Sequence, residues 1–273
     1  MSGYGALSST RPRGRSIAPG RGGDRPPRAP LLLASAADAD EAGVALLAGA
    51  DIVDMKDPAR GVLGACDRRV LADAAAVRRR LAPGRPLSAA LGAARDDVAA
   101  PRAAAAARLG FDYLKAGLDG TTDWRAAAAL LRPLAAAARG AAPGTRLIAA
   151  SYADAPAVGA LSPIDLPDAA AAAAFDGCLL DTAVKDGRGV LDHLGIAGIE
   201  LFVRACRARG LLAAVAGSIA AVDLAAVVAA GPDIIGARGA LCAGGRRGRL
   251  DAERVRAFRA AIRSAACSPS STV

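Results

Sequence analysis

Lysine, histidine and the aromatic residues are almost missing from this chain. Among 273 residues there are three lysines against 32 arginines, one histidine, and an aromatic fraction of 3%. So few rings exclude a core built on aromatic packing and argue against surfaces that stack nucleic-acid bases. The lone His193 has no second histidine at metal-ligand spacing, so it reads as a surface or helix-start residue and no metal site is expected. Five cysteines, at 66, 178, 206, 242 and 267, are odd in number, scattered, and include no C-x-x-C. They read as reduced thiols in a cytoplasm, mostly core filler. No apolar run reaches the ~18 residues of a membrane span before charge or glycine breaks it. No G-x-G-x-x-G follows the first apolar run, which leaves a doubly wound dinucleotide fold as the weaker alternative.

What is present is a hydrophobic fraction of 53%, ample for one large core of Ala, Val, Leu and Ile. The net charge of +9 is uneven: residues 1–30 hold six arginines against Asp24, leaving +4 for the rest. That modest excess fits an enzyme drawing in anionic metabolites better than a protein that grips duplex nucleic acid. The head, residues 1–30, is rich in Gly, Pro, Ser and Arg without apolar periodicity, so it is expected to be a disordered basic extension. It lacks the apolar segment of a secretory signal. A nucleic-acid or membrane-tethering arm is the alternative for it. Residues 31–265 are expected to form one catalytic domain and residues 266–273 a flexible tail.

After Pro30 short β-like runs alternate with Ala/Leu/Arg helices. The strands read as 31–35, 51–56, 86–91, 111–116, 146–151, 177–182, 211–216 and 233–237. Asp38 or Asp40, Asp67, Asp123, Asp165 and Asp223 stand where helices begin, and Pro101 suits a first helical position. A helix near 197–209 ends at Gly210, and the same helix-glycine-strand punctuation recurs at Gly49, Gly110 and Gly231. Eight such units, with strands too apolar for a solvated face, predict a closed parallel (β/α)8 TIM barrel.

The scarce lysines then gain meaning. Where surface charge is written as arginine, a lysine marks a position where an amine is wanted, because an amine can lose its proton and attack a carbonyl and a guanidinium cannot. Lys56 and Lys115 end the second and fourth strands, and Lys185 follows the sixth, so all three fall at the face where barrel enzymes work. Three solvated lysines near strand ends are the bland alternative. Asp54 lies two residues before Lys56, on the same side of its strand, and Asp181 lies four before Lys185. Neighbouring cations lower a lysine's pKa and carboxylates raise it, so the balance stays open at this point. Asp57 and Asp186 read as loop caps. In the last two units Gly217, Ser218, Arg238 and Gly239 follow strands seven and eight, where barrels often hold phosphate, with Arg238 as a charged fork. Steric need alone is the competing reason for glycines there.

The segments DIVDMKDPARGVLGA (51–65), DYLKAGL (112–118), SYADAPAVGALSP (151–163), LLDTAVKDGRGVLDHL (179–194), AGSI (216–219) and PDIIGARGALC (232–242) together resemble the (5-formylfuran-3-yl)methyl phosphate synthases, also called 4-(hydroxymethyl)-2-furancarboxaldehyde-phosphate synthases. The similarity runs from Leu31 to about Ile262, and Ser151 stands where glycine is expected before YAD. The resemblance implies a carbon-oxygen lyase that joins two molecules of glyceraldehyde 3-phosphate into a phosphorylated furan aldehyde, losing phosphate and water, for methanofuran or an analogue in one-carbon metabolism. It implies a Schiff base on Lys56, with Asp54, Lys115 and Asp181 essential and Lys185 supporting. No cofactor, nucleic acid or membrane is expected, and association through helices into a homo-oligomer is. Rival readings are a Schiff-base aldolase for another phosphorylated aldehyde, a non-catalytic barrel that senses a phosphorylated metabolite, and an RNA-binding protein acting through its head.

Overall fold

The computed structural model describes residues 29–267, so the expectations for residues 1–28 of the basic head and for 268–273 of the tail lie outside the described residues, while Ala266 and Cys267, expected in the tail, belong to the last helix. Eight parallel strands close into a barrel in chain order: β1 (Leu31–Ala36), β2 (Ile52–Met55), β3 (Leu87–Ala93), β4 (Tyr113–Gly117), β5 (Arg146–Tyr152), β6 (Gly177–Asp181), β7 (Leu212–Val215) and β8 (Ile234–Ala237). Between and after them run α1 (Ala39–Leu47), α2 (Arg68–Leu81), α3 (Ala99–Arg108), α4 (Trp124–Ala141), α5 (Leu166–Ala172), α6 (Val190–Ala208), α7 (Leu224–Ala229) and α8 (Ala252–Cys267). A two-stranded hairpin, β9 (Cys242–Ala243) with β10 (Arg249–Leu250), fills the connection after β8.

Alternation along each strand divides the core in two. Outward residues such as Leu32, Val53, Leu114, Leu147 and Ile235 pack on the helices with many alanines. Short methyl side chains let helix and sheet approach closely, which is how the core closes with so few rings. Inward residues Leu33, Ile52, Tyr113, Ile148, Leu179 and Ile234 form a separate cluster inside the barrel. Burying each such Leu or Ile contributes about 1.5–3 kcal/mol.

The helix starts are partly as expected. Asp38 and Asp123 accept from the N–H of Glu41 and Ala126, as N-caps do. Asp67 stands at the N-cap of α2 without a capping hydrogen bond, because its carboxylate is taken by Arg60 at 2.8 Å. Pro101 is the third residue of α3 rather than its first; its missing N–H still costs nothing, since the first turn has no internal acceptors. The helix expected near 197–209 starts earlier, at Val190, and bends at Gly195.

The face of the barrel at the strand N-termini carries a repeated device. Asp51, Asp112, Asp176 and Asp233 each accept the N–H of a residue on a neighbouring strand, Leu32, Leu87, Leu147 and Ala213, at 2.8–3.1 Å. Arginines from the even helices clamp the same corners: Arg78 to Gly110 O, Arg139 to Ala174 O, Arg207 to Gly231 O and Arg259 to Asp51. The four corner residues, Gly49, Gly110, Ala174 and Gly231, all have left-handed φ, and only Ala174 (φ 56°) carries a side chain there. This end of the fold reads as scaffold, leaving the opposite end for chemistry.

Candidate active site

At the C-terminal ends of the strands a cavity of about 490 Å³ opens. It exists because the strands put small residues there, Ser35, Ser88, Ala214, Ala216 and Gly236, above the apolar floor of Leu33, Ile52 and Ile148. Lys56, Lys115, Lys185 and Asp181 line it.

The acids and amines are organised as two pairs around one unpaired amine. Lys115 Nζ donates to Asp54 Oδ2 at 2.6 Å, both groups being buried. Ser35 Oγ donates to the same oxygen at 3.2 Å. Lys185 Nζ donates to Asp181 Oδ1 at 3.1 Å and to Thr182 Oγ1 at 2.7 Å, and Thr182 N–H donates to Asp181 Oδ1. Lys56, by contrast, makes no side-chain hydrogen bond or ion pair among the described residues, although it is only 9% exposed. Asp54 Oδ1 and Ser88 Oγ are buried without a hydrogen-bond partner.

This arrangement answers the question that spacing left open. Burial pushes the Lys56 amine from 10.5 down to about 8; Asp181 and Asp54 oppose that, and the charges of Lys115 and Lys185 assist it. Burial raises Asp54, yet the charges of Lys115 and Lys56 and the Lys115 hydrogen bond outweigh it and hold the carboxyl below its ordinary value. The Ser88 hydroxyl contributes weakly to that lowering from beside the carboxylate, short of full hydrogen-bond geometry. Asp181 follows the same logic: burial raises it, and the charges of Lys185 and Lys56 with the Thr182 N–H bring it below the usual range. At neutral pH the site therefore holds two carboxylates and an amine that is about one-tenth unprotonated.

Local chain geometry sets these positions. Lys56 N–H is held by Ala36 O, and Asp57 N–H by Gly64 O, closing the loop after β2. A Cβ at Gly64 would lie 2.2 Å from Asp57 O, so only glycine permits the closure. Asp57 caps the 3-10 turn Pro58–Arg60 through the Ala59 N–H, and Asp186 accepts from Arg188, so both act as loop caps. The loop carrying Lys185 is anchored by Asp154, which accepts from Ala183 and Val184 N–H at 2.7 Å. That anchor was not legible beforehand, since the two segments lie 29 residues apart.

Gly217, Ser218, Arg238 and Gly239 reach the same cavity wall. Gly217 (φ 97°) and Ser218 (φ 52°) both take left-handed backbone, and a Cβ at Gly217 would press on Thr182 at 3.0 Å. Arg238, expected as a charged fork for phosphate, has its donors engaged within the protein. Its five N–H donors go to Glu41 at 2.8 and 3.4 Å, Ser35 O, Arg246 O and Gly248 O. Glu41 also holds Ala37 and Leu250 N–H, so the pair ties α1 to the barrel and the hairpin. Arg246 and Arg254, overlooked inside an arginine-rich sequence, line the cavity instead.

No helix among the described residues is long and apolar enough to cross a membrane. The profile of the 4-HFC-P synthase family matches residues 32–259. The (5-formylfuran-3-yl)methyl phosphate synthase of Methanothermobacter thermautotrophicus is 39% identical over 230 residues, covering 83% of this chain and 96% of that protein. A putative (5-formylfuran-3-yl)methyl phosphate synthase of Streptomyces griseus subsp. griseus is 38% identical over 237 residues, covering 84% and 94%. Among solved structures, thiamine phosphate pyrophosphorylase from Pyrococcus furiosus aligns with a TM-score of 0.57 at 12% identity, over 87% of this chain and 96% of that one. A 3-hexulose-6-phosphate synthase aligns at 0.56 and 18% identity, over 83% and 98%. Those two likenesses speak for the barrel; the family match and the relatives at nearly 40% identity speak for more. The chain belongs to the 4-HFC-P synthase family of enzymes.

Proposed function

We propose that the protein condenses two molecules of glyceraldehyde 3-phosphate into (5-formylfuran-3-yl)methyl phosphate through an imine on Lys56. The observation that carries this reading is the buried, unpaired Lys56 amine, held near 8 between two carboxylate-ammonium pairs. Its neutral fraction attacks the aldehyde and water leaves. The protonated imine then draws electrons from the adjacent carbon, whose proton passes to a neighbouring carboxylate, and the enamine so formed is the electron-rich partner that joins the second triose phosphate. Elimination of one phosphate, ring closure and loss of two waters complete the furan, and hydrolysis of the imine releases the aldehyde and frees Lys56. Asp54 with Lys115 and Asp181 with Lys185 can each accept a proton at the carboxylate and return one from the ammonium, which suits repeated proton transfers at one centre.

The loops bearing Gly217, Ser218 and Gly239 would hold one phosphate by backbone N–H groups, and Lys185 or Lys115 would face the other. Arg238 would serve this site by holding its wall in place through Glu41. Supply of methanofuran or an analogue, in the cytoplasm, is the use this product would have. The test is incubation with glyceraldehyde 3-phosphate as sole substrate. One inorganic phosphate released for each furan aldehyde formed supports the reading. Condensation that retains both phosphates would make the protein an aldolase, and binding without turnover would make it a sensor.

A further inference from the structure

Three of the cations around the cavity are matched by carboxylates: Lys115 by Asp54, Lys185 by Asp181 and Arg238 by Glu41. Three cavity-lining cations have no carboxylate partner among the described residues: Lys56, Arg246 and Arg254. Lys56 escapes its charge by losing a proton, which an arginine cannot do. Arg246 is half-buried, and its one side-chain hydrogen bond among the described residues runs from Nη2 to Gly61 O at 3.2 Å. Its Nε and Nη1 donors are without partners among the described residues; burial disfavours its charge, the more distant Asp181 carboxylate attracts it, and Arg238 and Arg247 repel it. Its backbone lies against Gly239, while its guanidinium reaches the loop that begins at Lys56.

A half-buried guanidinium with unused donors, lining a cavity whose wall also carries the unmatched guanidinium of Arg254, is complementary to a dianion. We propose that Arg246, supported by Arg254, is the charged ligand that selects a phosphate monoester at this mouth, the part expected of Arg238. This deepens the reading above and rests on it for the phosphorylated substrate. Arg246 lies between the loop of Lys56 and the turn at Gly239, so a triose held as an imine can extend its phosphate toward it. Gly61 O is then a resting partner that a phosphate oxygen replaces.

The experiment uses the full chain with Arg246→Gln and Arg246→Lys, and Arg247→Gln as an exposed control outside the cavity. Inorganic phosphate binding is measured by calorimetry, and adducts at Lys56 are trapped with borohydride using glyceraldehyde 3-phosphate and, separately, unphosphorylated glyceraldehyde. Arg246→Gln should weaken phosphate binding and raise KM by about tenfold or more, the scale of one charge-assisted hydrogen bond. Trapping of unphosphorylated glyceraldehyde should stay as in the parent, Arg246→Lys should recover part of the affinity, and Arg247→Gln should match the parent. Phosphate affinity unchanged in Arg246→Gln would overturn the proposal. Failure of the parent to form any trapped adduct would instead count against the imine, and the phosphate isotherms would still decide Arg246.

Discussion

Replacing Lys56 with methionine should abolish turnover and make the protein more stable. An amine that titrates near 8 when folded and at 10.5 when free is an amine the folded state resists protonating. At ~1.4 kcal/mol per tenfold change, that resistance costs the native state about 3 kcal/mol at pH 7. The sign follows from proton counting. Between pH 8 and 10.5 the unfolded chain keeps a proton that the folded chain has released, so stability rises with pH across that window. Below 8 the penalty is fully present; above 10.5 it is gone. Methionine removes the penalty and keeps the side-chain volume, but it also removes a positive charge that helps Asp54 and Asp181 stay ionised. The net gain at pH 7 should be about 1–3 kcal/mol, or a Tm rise of roughly 3–10 °C for a chain of this size. Calorimetric melts of both proteins at pH 7, 9 and 10.5 measure it, and the difference should shrink as pH rises. Equal melting temperatures at pH 7, or a difference that ignores pH, would mean that Lys56 is an ordinary solvated ammonium.

Three further outcomes follow from the same geometry. The rate at which borohydride traps an aldehyde on the enzyme should climb about tenfold from pH 6 to 7 and level off above 8, tracking the neutral amine; a steady climb to pH 10 would refute the lowered pKa. Arg238→Gln strands Glu41, which is 2% exposed at its side chain, and should cost about 3–5 kcal/mol in urea unfolding; a loss under 1 kcal/mol would restore Arg238 as a free ligand. Ala174→Gly should raise stability by about 1 kcal/mol, because it relieves the one left-handed corner that carries a Cβ; an unchanged Tm would show that corner to be unstrained.

The barrel was legible because its signals are local. Apolar alternation and helix-ending glycines located all eight strands, with edges displaced by only a residue or two, as at Leu87–Ala93 and Tyr113–Gly117. The lysines were legible for a different reason: in a chain that writes positive charge as arginine, three amines at strand ends stand out. What stayed hidden depends on contacts between distant segments. Arg238 finds Glu41 197 residues away, and no spacing rule reveals that its donors are already used. Arg246 looks like any other residue of a Gly- and Arg-rich loop until the hairpin turns it toward Gly61. The pKa of Lys56 depended on burial, which residue order cannot supply. The cap at Asp67 failed to form because Arg60, seven residues earlier, competes for its carboxylate.

The central claim is that one specific amine, at residue 56, forms the covalent link to substrate. Borohydride reduction in the presence of glyceraldehyde 3-phosphate, followed by peptide mass analysis, reads it directly. The account predicts a single triose-phosphate adduct on the peptide containing Lys56, absent from the methionine variant. An adduct on Lys115 or Lys185 instead, or full turnover by Lys56→Arg, would contradict it.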